Sequence, residues 1–158
     1  MRELEVVGVR VERPTNQPLV LLREVEGRRY LPIWIGAVEA SAVAVAQQGE
    51  RSERPATHEL LRQVIEALGD ELVEVRIVDV IDGVFFALLQ FASGASVDAR
   101  PSDSIALALR SGTRIVCAED VLESAGIEAT GLEGEPDEDE EIAKFREFLD
   151  HVDPEDFQ

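Results

Sequence analysis

At 158 residues, with 45% hydrophobic and 30% charged side chains, the chain has the length and composition of one soluble domain with a real core. Its net charge of -18 argues against simple electrostatic attachment to nucleic acid, and no apolar run is long enough to cross a bilayer. The N-terminus has no signal-peptide pattern, so the sequence predicts a cytoplasmic protein with no membrane attachment.

The first half of the chain predicts three strands followed by a helix. Apolar residues alternate with polar ones over residues 4–11, 19–25 and 29–35, which is the period of half-buried strands, and short turns join the three runs into an antiparallel meander. A helix rich in alanine and valine follows over residues 37–48 and ends at Gly49. Its small and apolar sides predict a mostly buried helix.

A second helix and three more strands come next. The charged loop 51–55 leads to Thr57, a suitable N-cap, and to a helix over about residues 58–68 whose one-sided apolar spacing predicts a packed face. Strands are predicted over residues 71–81, 84–92 and 95–99, and the continuously apolar second one is expected to be covered on both faces.

The stretch from Asp98 to Gly112 predicts a helix surrounded by protein. Ser102 is a suitable N-cap, Asp103 falls in the first turn, and Gly112 follows the last apolar residue as a C′ glycine. The middle of this helix is apolar on every side, so it must be buried. Arg100 adds positive charge beside the free N–H groups of the helix start, which predicts a potential anion site.

Taken together, these elements predict an α+β fold. We expect an antiparallel or mixed sheet of about six to seven strands, because a short strand over residues 114–118 and a helix over residues 120–124 follow the sixth strand. Both halves have the order strand, strand, strand, buried helix. This shared order makes a structural duplication conceivable.

The negative charge is concentrated at the C-terminal end. Residues 133–158 hold twelve acidic residues against Lys144 and Arg146, a net charge of -10, which leaves -8 for the preceding residues. The sequence therefore predicts a domain over residues 1–130 and an acidic C-terminal segment over residues 131–158. Four apolar residues of this segment recur at helical spacing: Ile142, Phe145, Phe148 and Leu149. They predict a short amphipathic helix over residues 140–150 that docks on the domain or on a partner chain.

Three separated motifs resemble one known family. They are LPIWIG over residues 31–36 followed by Glu39-Ala40, RPATHELL over residues 54–61, and DARPSDSIALALRSG over residues 98–112. In their order and spacing, these motifs resemble the bifunctional nuclease domain of bacteria and plants, formerly a domain of unknown function. The resemblance covers roughly residues 1–127, and three separated motifs are far more specific than one short pattern.

The resemblance implies a phosphodiesterase that acts on RNA and DNA with little sequence preference. Such hydrolysis needs charge stabilisation, an activated water and a protonated leaving group. Four residues of the motifs are the catalytic candidates: Arg54 and Arg100 as phosphate contacts, His58 as acid or base, and Asp103. Three carboxylates are candidate ligands of Mg²⁺ or Mn²⁺, the metals that this chemistry most often uses: Glu39, Glu59 and Asp98.

Other interpretations of the same residues remain open. Glu39 also suits the dipole of its helix, and a histidine at the position of His58 can be a hydrogen-bonded structural residue. The alternative function is a non-catalytic oligomeric module that binds or regulates, with Arg100 in an ion network and the motifs building core and interface. Two helices that are apolar on nearly all sides favour a homo-oligomer, first of all a dimer. The acidic segment would then bind a protein partner.

Overall fold

One eight-stranded mixed sheet carries the fold, and its strands form where branched and aromatic residues alternate with polar ones. The structure, a computed structural model, describes residues 1–12 and 14–128. The strands are β1 (Arg2–Glu12), β2 (Gln17–Glu24), β3 (Arg29–Trp34), β4 (Leu72–Ile81), β5 (Val84–Phe91), β6 (Ser96–Ala99), β7 (Ile115–Cys117) and β8 (Ile127–Glu128). The helices are α1 (Ala37–Gln48), α2 (Thr57–Ala67), α3 (Pro101–Ser111) and α4 (Glu119–Ala125).

The strand order is β6-β5-β4-β7-β1-β2-β3-β8. The strands β1 to β3 and β4 to β6 form two antiparallel meanders, and β7 joins them because it pairs parallel with β4 and antiparallel with β1. The predicted α+β class is confirmed, and so is the order of three strands and a helix in both halves. The helix of the second half, α3, is buried as predicted, whereas α1 buries only Ala40, Val43 and Ala46 because one side of it faces solvent. The predicted strand number was one too low, because the two-residue strand β8 is too short to leave a periodic signal.

The main core lies between the sheet and the helices. Strand residues such as Leu22, Ile33 and Ile77 pack there against Val43 of α1 and Ile105 of α3. Helix α4 adds two buried residues, and α2 contributes only a partly buried isoleucine at the margin. Each helix thus lies on the same face of the sheet, which we call the inner face.

Helices α1 and α3 end where the sequence predicts. Both end at a glycine in the left-handed region, Gly49 with φ 72° and Gly112 with φ 66°. Helix α3 is buried through its middle as predicted, but its N-cap lies two residues earlier than expected. Arg100 is the N-cap and Pro101 the first helical residue, so Ser102 lies inside the helix, buried, instead of capping it. Proline suits that first position because it has no N–H group to leave unsatisfied.

Two predictions about packed faces are wrong. The apolar side of α2 is largely uncovered, and its exposed fractions are 50% for Leu60, 40% for Leu61, 44% for Val64 and 81% for Leu68. Strand β5 is covered on one face only, because no described helix packs on its other side. Hydrophobic spacing shows that a face is apolar, but the tertiary structure decides whether anything lies against it.

Within the described ranges, no helix has the length and hydropathy needed to span a membrane. The acidic segment over residues 131–158 and its predicted helix lie outside the described residues.

Candidate functional site

Three helices begin next to one another on the inner face. Helix α3 packs against both α1 and α2, and each of the three carries a predicted site residue in its first turn. These are Glu39 on α1, His58 on α2 and Asp103 on α3, while Arg100 is the N-cap of α3. The first N–H groups of a helix lack partners within it, so this meeting point favours carboxylates and bound anions.

The four side chains form one hydrogen-bonded group, which we call the polar cluster. Arg100 donates from Nε to Asp103 Oδ2 at 2.9 Å and from Nη2 to Asp103 Oδ1 at 3.2 Å. Its Nη1 donates to Glu39 Oε1 at 3.0 Å. His58 Nε2 lies 3.1 Å from Asp103 Oδ1. Asp103 is therefore the centre of the polar cluster, with a guanidinium on one side and an imidazole on the other.

The electrostatics keep Asp103 ionised at neutral pH. Partial burial opposes its ionisation, but the hydrogen bonds from Arg100 and His58 outweigh burial and lower the pKa of Asp103. The pKa of Arg100 is raised, first by its hydrogen bonds to Asp103 and then by Glu39. Since an ionised carboxylate only accepts hydrogen bonds, His58 Nε2 donates a proton to Asp103, and in the neutral imidazole Nδ1 is then the acceptor. That arrangement suits a histidine that takes up a proton.

An open groove of about 510 Å³ lies beside His58, between α1 and α2. Its walls are mostly apolar or small, with Val38 and Ser41 on the α1 side, and Arg110 of α3 adds a positive charge. The polar lining consists of Ser41, His58, Glu59 and Arg110, and the groove is large enough to receive a flexible polymer strand in part.

The other three predicted site residues lie apart from the polar cluster. Glu59 points inward on α2, where its hydrogen bonds with Arg62, at 2.7 Å and 3.0 Å, lower its pKa although burial opposes this. Arg54 is exposed in the loop before α2. Asp98 pairs with Leu88 across β5 and β6, next to the pair of Ala87, which is buried, and Ala99, which packs partly buried against the main core. Because successive strand residues alternate faces, Asp98 points to the outer face.

The polar cluster as arranged does not fit a divalent metal ion. In the described part of the chain, no group of three or more His, Cys, Asp or Glu side chains is placed to hold one. Mg²⁺ prefers several oxygen ligands in near-octahedral geometry, whereas Arg100 already hydrogen bonds to the carboxylates of Glu39 and Asp103. A metal here would have to displace the guanidinium.

Sequence reasoning missed Arg110 as a lining residue of the groove. It lies seven residues after Asp103, which is two helical turns, so both side chains share one face of α3. That spacing was the available signal. Arg110 Nη1 donates to the carbonyl of Glu50 at 2.5 Å, which links α3 to the loop before α2.

Cys117 is no nucleophile, because burial raises the pKa of its thiol to about 12.

Comparison with known proteins places these residues in a family context. Two relatives are each 52% identical to this chain over 165 residues, and the match covers all of this chain and 99% of the relative. They are the uncharacterized proteins MT1877 and Rv1829 of Mycobacterium tuberculosis, from strains CDC 1551 / Oshkosh and ATCC 25618 / H37Rv. A family model described as the bifunctional nuclease domain matches residues 20–130. That range is well over half of the sequence and includes the whole polar cluster. The chain therefore belongs to the bifunctional nuclease domain family.

Proposed function

We propose that the chain hydrolyses phosphodiester bonds in RNA and DNA with little sequence preference. The observation that carries the proposal is the contiguous hydrogen-bonded set of His58, Asp103 and Arg100 beside an open groove. A proton-transfer group, the carboxylate that orients it and a permanent positive charge are what phosphodiester hydrolysis needs. The ion pairs alone would not suffice, because such pairs also occur without catalysis.

The chemistry follows from the assigned tautomer of His58. Its Nδ1 accepts a proton from a water molecule as the water oxygen bonds to phosphorus, and the imidazolium that forms is stabilised by Asp103. The bond from phosphorus to the leaving oxygen breaks, and that oxygen receives the proton back from His58. Arg100 stabilises the negative charge on the non-bridging oxygens. Because DNA has no 2′-hydroxyl group, water must be the nucleophile in an enzyme that cuts both polymers.

The test compares the same substitution, Asp to Asn, at the polar cluster and on the outer face of the sheet. Asp103→Asn keeps the size of the side chain but removes the ionised partner of His58, so we expect cleavage of labelled single-stranded RNA and DNA to fall about 100-fold or more. Arg100→Ala should lose a similar amount. Asp98→Asn is the matched control, because its side chain lies on the outer face and should leave the rate unchanged.

The same trace cleavage in all four identically purified, folded proteins would contradict the proposal. Each protein is assayed with Mg²⁺, with Mn²⁺ and with EDTA. Cleavage that persists in EDTA agrees with the polar cluster as arranged. Cleavage that needs metal would mean that Arg100 leaves the carboxylates, with Glu39 and Asp103 becoming metal ligands.

A second candidate function, an oligomeric binding module, is favoured by the exposed apolar residues of α2. We call Leu60, Leu61, Val64 and Leu68 the α2 stripe. Soluble monomers rarely leave such a contiguous row uncovered. We propose a second copy of the chain as its partner, because a row along one helix packs against itself in antiparallel orientation and so satisfies two-fold symmetry.

Light scattering after size exclusion tests this dimer. Leu61→Asp and Leu68→Asp should each convert the dimer to a monomer, since a carboxylate cannot be buried unpaired in the contact. Gln63→Glu, which adds the same charge to α2 outside the α2 stripe, is the control. A monomeric wild type would rule the dimer out. Monomeric variants that keep full cleavage would show that the two functions are independent.

A further inference from the structure

A second, smaller apolar cluster lies on the outer face of the sheet, opposite the helices. It consists of Leu19, Leu21 and Tyr30, with three partly buried neighbours, Val7, Trp34 and Ile127. We call these six residues the outer cluster. Leu19 is 0% exposed and Leu21 is 1% exposed. Alternation along β2 separates them from the inner-face residues Val20 and Leu22, which belong to the main core.

The two halves of the outer face differ sharply in exposure. On β4 and β5, the outer-face residues Ile81, Val84 and Phe86 are 53%, 49% and 46% exposed. On β2, the outer-face leucines are fully buried. Each of the four described helices packs against the main core, and within the described ranges none contributes a residue to the outer cluster. The described helices therefore do not account for the burial of these leucines.

The part of the chain that follows Glu128 begins next to the outer cluster. The last described strand, β8, pairs with β3 at the sheet edge, and its Ile127 already belongs to the outer cluster. Thirteen residues separate Glu128 from Ile142. At roughly 3.3 Å per residue they can span up to about 40 Å, which is enough to cross this three-stranded half of the sheet.

The continuing chain also carries a matching apolar surface. In the helix that the sequence predicts, four apolar residues would fall on one side: Ile142, Phe145, Phe148 and Leu149. The charges beside the outer cluster and on the C-terminal segment are also complementary. Arg10 lies on the outer face of β1 beside the outer cluster, while the apolar residues of the segment are flanked by several carboxylates.

The α2 stripe is the competing place for the same segment. Its leucines remain 40% to 81% exposed, whereas the outer cluster is covered. Because the segment can pack on only one of the two surfaces, the buried outer cluster is a better candidate than the exposed α2 stripe.

We propose that residues 142–149 fold back and pack on the outer cluster of the same chain. The acidic C-terminal segment then lies on the face of the sheet opposite the polar cluster. This arrangement keeps its net charge of -10 away from the groove beside His58 and leaves the groove open. The proposal does not depend on the nuclease function, because it concerns the other face of the molecule.

Trp34 provides the readout, because it is the only tryptophan and belongs to the outer cluster. The full-length double variant Phe145→Asp/Phe148→Asp should shift Trp34 emission to longer wavelength and make it more accessible to acrylamide. Ala143→Asp adds a carboxylate on the other side of the segment and should leave the emission unchanged. Far-UV circular dichroism checks that the domain is folded. If the double variant does not fold, the milder Phe148→Ala variant carries the same comparison.

Unchanged emission and quenching in the folded Phe variants would overturn the proposal. So would wild-type Trp34 emission that shifts to longer wavelength on dilution, because a second copy would then be the cover. Emission that is independent of protein concentration, together with exposure of Trp34 in the Phe variants alone, is the result we expect.

Discussion

Each buried carboxylate with a resolved ion pair in this domain is held by arginine. Glu24 hydrogen bonds to Arg29, Glu59 to Arg62, and Glu74 to arginines of β4 and its neighbouring strand. Burying an unpaired charge is very costly, so these pairs are a condition of folding. Asp103 differs from them because it also binds a histidine. At the scale of single residues, that additional contact distinguishes the candidate site from structural ion pairs.

Glu24 offers a test of these pairs by pH. Hydrogen bonding to Arg29 lowers its pKa below the ordinary 4.5, and burial opposes this shift without cancelling it. A lowered folded-state pKa stabilises the protein above the unfolded pKa, and this stabilisation is lost as the pH falls through the folded pKa. We expect Glu24→Gln to reduce the free energy of unfolding by about 2 kcal/mol at pH 7.

Urea unfolding at a series of pH values measures this difference. The gap between wild type and Glu24→Gln should narrow as the pH falls below 4.5. Glu26→Gln, in the exposed turn of the same hairpin, is the control and should cost little at any pH. A gap of constant size down to low pH would show that the ion pair is not its source.

At the scale of elements, the C-terminal ends of α1 and α3 were predictable, whereas the N-caps were not: Ala56 and Arg100 stand where Thr57 and Ser102 were expected. Gly49 and Gly112 adopt the left-handed conformation that the sequence predicted, because glycine lacks the Cβ atom that makes this region costly. The exposed α2 stripe was not predictable in this way. Apolar spacing is a property of the helix alone, whereas burial depends on what lies against it.

Substitutions at Gly112 test the contribution of a helix end. An added Cβ would meet nothing within 4 Å, so any cost comes from the backbone conformation with φ 66°. We expect Gly112→Ala to lower the free energy of unfolding by about 1 kcal/mol. Gly112→Asn should lose less, because asparagine tolerates the left-handed region. Equal losses for the two variants in urea unfolding would contradict this explanation.

At the scale of the whole molecule, the two halves of the chain share one site. Strand β7 joins the two meanders into one sheet, and the helices of both halves then meet on its inner face. Glu39 and His58 come from the first half of the chain, and Arg100 and Asp103 from the second. The polar cluster therefore exists only when both halves are folded together.

The net charge of -18 leads to a prediction about salt. A strongly negative protein repels a nucleic acid at long range, and added salt screens that repulsion over a Debye length of about 10 Å at 0.1 M. If the chain is a nuclease, its kcat/KM should rise several-fold as salt is added from a very low concentration. Basic nucleic-acid-binding proteins show the opposite trend. A steady fall in kcat/KM with salt would mean that local positive charge at the groove outweighs the net charge.

Much of the fold could be predicted from residue patterns. The α+β class, the order of strands and helices, and the buried middle of α3 follow from periodicity and from turn residues. The family follows from three motifs. Of the seven predicted site residues, Glu39, His58, Arg100 and Asp103 meet, whereas Asp98 points to the outer face and Glu59 is bound by Arg62. Asp98 is excluded from the polar cluster by its position in the strand, which is one residue away from the inner face. Glu59 is excluded because Arg62, one turn further along α2, binds it.

The sequence by itself determined the elements of this protein, the C-terminal ends of α1 and α3, and the polar residues at three helix starts. It did so because periodicity, capping and motif order are local properties of a chain. Only the tertiary structure decided that the first turns of α1, α2 and α3 meet around Asp103, and which apolar faces are covered. Those contacts join residues up to 61 positions apart, and only the packing of the folded sheet and helices sets such distances.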